Sequence, residues 1–166
     1  MAAGATYEPI ATTTLSTTSS LVTFSSISGS YTDLVLITSA KLTSGTTDAT
    51  IRFNNDTGSN YSCTILSGTG SAASSGRVTS DPWLYIDSYG ALSTGSFNIA
   101  ITNIMNYSNT TTYKSYLTRA NNASLGTDAI VGTWRNTSAI NRIDIFPQAS
   151  TFTAGSTFTL YGIAAA

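Results

Sequence analysis

"YTDLVLITSAKL", Tyr31–Leu42, is the stretch whose reading decides the fold. In an extended chain Leu34, Leu36, Ala40 and Leu42 share one face, and Tyr31, Asp33, Val35 and Ile37 begin the other. The middle is apolar on both faces, which predicts a central strand rather than an edge. Working outward, similar segments follow one another along the chain: Tyr7–Leu15, Ser19–Ile27, Ala49–Asn54, Asn60–Ser67, Pro82–Tyr89, Ser96–Ile104, Thr112–Ala120, Asp128–Asn136, Ile140–Phe146 and Ser156–Ile163. Within "SFNIAITNI", Phe97, Ile99 and Ile101 alternate with Asn98, Ala100 and Thr102, a one-sided pattern with the large apolar residues as its apolar side. In "INRIDIF", Ile143 and Ile145 oppose Arg142 and Asp144. Pro9 marks the first segment as an edge. Gly68–Arg77, made of small residues with nothing to bury, reads as a loop.

Composition points the same way. About a third of the chain is Ser or Thr, and Glu8, Gln148, Lys41 and Lys114 are its whole stock of Glu, Gln and Lys. Strong helix formers are nearly missing, whereas residues that fit a pleated, half-buried surface abound. No helical period separates the strands, so parallel βαβ units are not expected. The predicted fold is all-β: an antiparallel, jelly-roll-like β-sandwich of about 8–11 strands with little or no helix. Residues 1–10 are read as an N-terminal arm or edge segment and 11–166 as a single sandwich domain.

The same inventory narrows function. The net charge is −1 and the few basic residues are scattered, which disfavours nucleic acid. There is no histidine, and Cys63 is the sole cysteine. The usual general base, the Ser–His and Cys–His pairs and thiolate metal sites are therefore ruled out. Cys63 reads as a buried, inert thiol. Carboxylate chemistry remains, with Asp81 and Asp87 flanking "PWLYI" as the pair to consider for glycan cleavage. A turn opener and packed aromatics explain that segment more simply. No enzyme, cofactor or metal is expected. "MAAGATYEPIA" has neither a basic start nor an apolar core, so export is not expected, and no run reaches the roughly 20 apolar residues of a membrane helix.

"RFNNDTGSNY", Arg52–Tyr61, tests the metal reading directly. With Asn54 as the first position of a calcium loop, Gly58 is misplaced and Ile65 stands where a bidentate Glu belongs. The stretch reads instead as a hairpin or loop tip.

"YEPIATTTLSTTSSLVTFSSISGSYTDLVLITSA", "IRFNNDTGSNYS" and the closing "GSTFTLYGIAAA" together resemble small tailed-bacteriophage virion proteins. By analogy with jelly-roll capsid decoration, or cement, proteins, the resemblance implies a homotrimer on the outer capsid surface. It would be made in the bacterial cytoplasm, bridge neighbouring copies of the major capsid protein, and need no nucleic acid or membrane. Contacts are expected at Tyr7, Glu8 and Pro9, at Asn55 and Asp56, and at Tyr113, Tyr116, Arg119, Trp134 and Arg135, residue types favoured at interface centres. The alternative is a tail, baseplate or fibre component that binds host glycans through Trp83, Tyr85, Asp87 and Tyr89.

Overall fold

A computed structural model gives the fold, described over residues 6–89 and 91–164. Strands run as β1 (Tyr7–Thr14), β2 (Val22–Ser25), β3 (Asp33–Ala40), β4 (Thr46–Thr47), β5 (Ala49–Phe53), β6 (Tyr61–Gly68) and β7 (Ala73–Asp81). They continue as β8 (Leu84–Tyr85), β9 (Leu92–Ser93), β10 (Asn98–Met105), β11 (Lys114–Asn122), β12 (Gly126–Trp134), β13 (Arg142–Pro147) and β14 (Thr157–Ile163). None of the described residues is helical. An eight-stranded sheet, in the order β1-β14-β3-β10-β11-β12-β6-β7, packs on a four-stranded sheet, β2-β13-β5-β8, and β4 pairs with β9. The protein is an antiparallel β-sandwich.

Each segment expected from alternation contains a strand, and β3 is central, flanked by β14 and β10. Its doubly apolar middle is explained by position: Leu34 and Leu36 fill the core between the sheets, and Val35 is buried on the opposite face. The stretch expected to be a loop, Gly68–Arg77, instead supplies most of β7, which pairs with β6 across a bulge at Tyr61/Cys63. Its side chains are almost all exposed, so no burial pattern marks it. The ladder to β6 alone makes it a strand.

β1 is continuous from Tyr7 to Thr14 and pairs with β14 along its length. Residues 6–10 therefore belong to the edge of the sandwich, with a register shift between Pro9 and Ala11. The rest of the expected arm, residues 1–5, lies outside the described residues.

The largest departure from the sequence pattern is in β10. Asn98, Ala100, Thr102 and Ile104 face inward and are buried, while Ile99 is exposed and Ile101 half-exposed on the outer face. The cause lies opposite. The residues from Leu84 to Tyr89, with Ala91 and Leu92, cross the inner face with only short ladders of their own, so their carbonyls need donors. Tyr116 Oη donates to Tyr85 O at 2.9 Å, Thr118 Oγ1 to Ile86 O at 3.3 Å, and Asn122 Nδ2 to Ala91 O at 2.7 Å. Thr102 Oγ1 in turn donates to Thr118 Oγ1. Small and polar residues are required inside here, and the large aliphatic ones are turned out.

At the other end of the core Tyr61 stacks on Trp134 at 6.2 Å, and Phe53 meets the same indole edge-on at 5.6 Å. Burying side chains of this size contributes roughly 1.5–3 kcal/mol each.

Candidate interaction surface

A solvent-facing antiparallel sheet is normally polar on its wet side. The outer face of the eight-stranded sheet is mixed: Asn103, Ser115, Arg119, Asn121, Thr127 and Thr64 share it with a cluster of aliphatic side chains. Val35, Ile37, Ile99, Ile101, Met105, Leu117, Ala129, Val131 and Leu66 all point outward from its central strands. Leu66 is 59% exposed, Val131 55%, Ile99 54% and Leu117 41%. The registers align them: Val35 lies beside Asn103, Asn103 beside Leu117, and Leu117 beside Val131. On the next rung Ile37 lies beside Ile101, Ile101 beside Arg119, Arg119 beside Ala129, and Ala129 beside Leu66.

Two shallow depressions lined mainly by apolar side chains mark the face. One, of about 350 Å³, lies among Tyr7, Asp33, Val35, Met105, Leu117 and Ile163. The other, of about 380 Å³, lies among Ile99, Ile101, Arg119 and Asn121. The first is rimmed by Tyr7, whose ring meets Tyr161 edge-on at 6.4 Å.

Of the residues expected to make contacts, Tyr7, Glu8, Pro9, Asn55, Tyr113 and Arg119 are exposed, and Asp56 and Arg135 are half-buried. Trp134 and Tyr116 correct the expectation. Both are fully buried in the core, where the indole anchors the aromatic cluster and the Tyr116 ring lies under Gly132. Their residue type suits an interface, but their strand parity points them inward. Sequence reading also missed the outer aliphatic cluster, since nothing local to Leu66, Leu117 or Val131 fixes the side each takes.

The glycan-platform residues do not form one surface. Asp87 is fully buried and accepts from Ala49 N at 2.7 Å. Trp83 packs edge-on against Phe146 at 6.1 Å, Tyr85 Oη donates to Asp81 at 2.9 Å, and only Tyr89 is exposed. The Asp81–Asp87 pair is likewise not an open cleft, since one of its members is enclosed.

Asp87 belongs to a buried acidic neighbourhood. Its Oδ2 has no hydrogen-bond partner, and desolvation, with Asp48 and Asp128 nearby, pushes its carboxyl well above the ordinary range. Asp48 is pushed up to about 6 by desolvation and by Asp128. Among the described residues no group of three or more acidic or thiol side chains is placed to hold a metal ion. Cys63 is buried, and desolvation raises its thiol to about 11, which suits an inert core residue.

The Arg52–Tyr61 stretch is a crossover, not a hairpin. β5 belongs to the four-stranded sheet and β6 to the eight-stranded one. Asn54 and Asn55 both have positive φ, and Asp56 N donates to Phe53 O at 2.9 Å, which closes a tight turn. Asp56 then accepts from Gly58 N, Asn60 Nδ2 and Trp134 Nε1 at 2.9, 2.9 and 2.8 Å. Desolvation pulls its carboxyl upward, but these hydrogen bonds outweigh it and hold the pKa below the ordinary value. No protein-family model matches the chain, and no curated protein matches it.

Proposed function

We propose that this protein is a capsid decoration protein of a tailed bacteriophage, working by surface contact and not by turnover. What carries the reading is the outer sheet face, a nearly uncharged surface with a cluster of exposed aliphatic side chains on a two-sheet scaffold. An exposed aliphatic cluster rimmed by polar residues marks an interaction site. The N-terminal, crossover-loop and C-terminal segments that resemble phage virion proteins supply the lineage. Many copies on a shell multiply a modest contact by effective concentration, which suits a clamp on a pressurised head. Jelly-roll cement proteins supply the analogy, at the level of fold.

Quantitative mass spectrometry of particles carrying the chain tests this. A shell component is expected in hundreds of copies, in keeping with the many equivalent sites of a lattice. A count below about thirty per particle, or absence from particles, overturns the reading.

A further inference from the structure

We infer that the outer face of the eight-stranded sheet is a self-association surface, covered by a second copy of the same face about a two-fold axis. The inference rests on reading this face as a contact surface and assigns it to contact between copies, which leaves the loops and edges of the sandwich for the shell.

Size is the first support. Strands about 4.8 Å apart, with a rise of about 3.3 Å per residue, give an eight-strand face of this length roughly 900 Å². A standard protein interface takes about 800 Å² from each partner. Two such faces crossed nearly at right angles overlap over roughly 600 Å² each, which reaches the lower end of the about 1,200–2,000 Å² that stable interfaces bury in total.

Chemical self-complementarity is the second. Arg119 on β11, Asp33 on β3 and Asn103 on β10 between them lie on one diagonal of the face. The registers put Arg119 two strands across and four residues along from Asp33, and Asn103 at the midpoint of that diagonal. In an isologous interface, if residue i meets residue j, then j also meets i. A two-fold lying in the interface plane and crossing the diagonal at Asn103 sets Arg119 of each copy against Asp33 of the other. It also sets the Asn103 amide against its own counterpart, where donor and acceptor match. One operation thus gives these three a partner across the interface, for Asp33 in addition to the bond its Oδ1 accepts from Asn106 N. It runs the two sheets nearly orthogonally, one of the established modes of sheet packing. The same operation lays Leu117 near Met105 of the second copy and brings Ile99 toward the depression beside Tyr7 and Ile163. A net charge of −1 offers little repulsion between copies.

Sedimentation velocity of the full chain across a concentration series is the test. A dimer is expected in the micromolar range. Leu117→Lys, exposed and therefore compatible with folding, should raise the dissociation constant on the order of 100-fold, as for a central interface residue. Arg119→Asp should weaken the dimer about 10-fold, and Arg119→Asp with Asp33→Arg should recover most of that loss, as a directly coupled pair does. A monomer at every concentration, a trimer, or a dimer indifferent to Leu117→Lys overturns the inference. So does failure of the charge swap to restore affinity. A monomer that is still abundant in particles refutes self-association alone, and a dimer that is absent from particles refutes the shell reading alone.

Discussion

Trp134 Nε1 donates to Asp56 Oδ2 at 2.8 Å, so a fully buried ring of the core is fastened to the carboxylate of a surface crossover. The bond connects β12 of the large sheet to the loop that delivers the chain from the small sheet. It gives one side chain responsibility for both the order of the loop and the orientation of the indole.

Asp56→Asn puts an amide where three donors converge. A loss of about 1–3 kcal/mol is expected, the range for hydrogen bonds to a charged group, read as a lower urea midpoint. The pH dependence follows from the lowered carboxyl. A depressed folded pKa contributes stability that is present above the unfolded value of 3.8 and lost as pH falls through the folded value. The wild type should therefore lose more stability than Asp56→Asn on acidification below pH 3.8.

Asp87 and Asp48 have the opposite sign. A raised folded pKa contributes stability that is fully present below 3.8 and is lost as pH rises through the folded value, about 6 for Asp48. Asp87→Asn mimics the protonated acid and keeps the acceptor for Ala49 N. Thermal melts should show the variant gaining on the wild type as pH is raised from 4 to 8, with the two nearly equal at the acidic end. A gap that stays constant across the range would refute this.

Gly132→Ala tests the packing under β12. The added carbon would meet Tyr116 Cε1 at 2.1 Å and Ser62 O at 2.7 Å, the second a ladder carbonyl that cannot yield. Overpacking of a core typically costs about 1–3 kcal/mol, occasionally more, so a lowered melting temperature with unchanged strand content by circular dichroism is expected.

The two left-handed asparagines of the crossover should separate. Asn54 Oδ1 accepts from Asn141 N and Arg142 N, and its Nδ2 donates to Ala139 O. Asn54→Gly keeps the backbone and removes these bonds, at a cost of about 1–2 kcal/mol. Asn55 is exposed, and Asn55→Gly should stay within about 0.5 kcal/mol, as for most surface changes. Equal effects at both sites in chemical denaturation would remove the anchoring role assigned to Asn54.

The sandwich was legible because period-2 alternation and missing helix formers act locally, residue by residue. β7 was not, since a strand of mostly small and polar residues, nearly all exposed, leaves no trace in hydropathy. The facing of β10 was not either. Ile99 and Ile101 look like core in isolation, and only the crossing residues, Leu84 to Tyr89 with Ala91 and Leu92, far away in sequence, make Asn98, Ala100 and Thr102 the better inward residues. Trp134 and Tyr116 show the same limit: residue type suggests contact, but parity within the strand decides which side a ring takes. The interaction face was hidden for the same reason, since nothing local to Leu66, Leu117 or Val131 tells which side of the sheet each takes.

The pairing of β1 with β14 also settles how the molecule can be rewired. Ala164 N donates to Thr6 O at 3.0 Å, so the two ends of the described chain meet at one corner of the large sheet. Closing a gap that short costs little loop entropy. Joining Thr6 to Ala164 by a linker of a few residues would make the described backbone a ring, and cutting it at Gly70, in the exposed turn between β6 and β7, would leave the described strand pairings in place. Such a permutant carries its cargo-bearing ends at the opposite edge of the same sheet, which makes the domain a two-sided display scaffold.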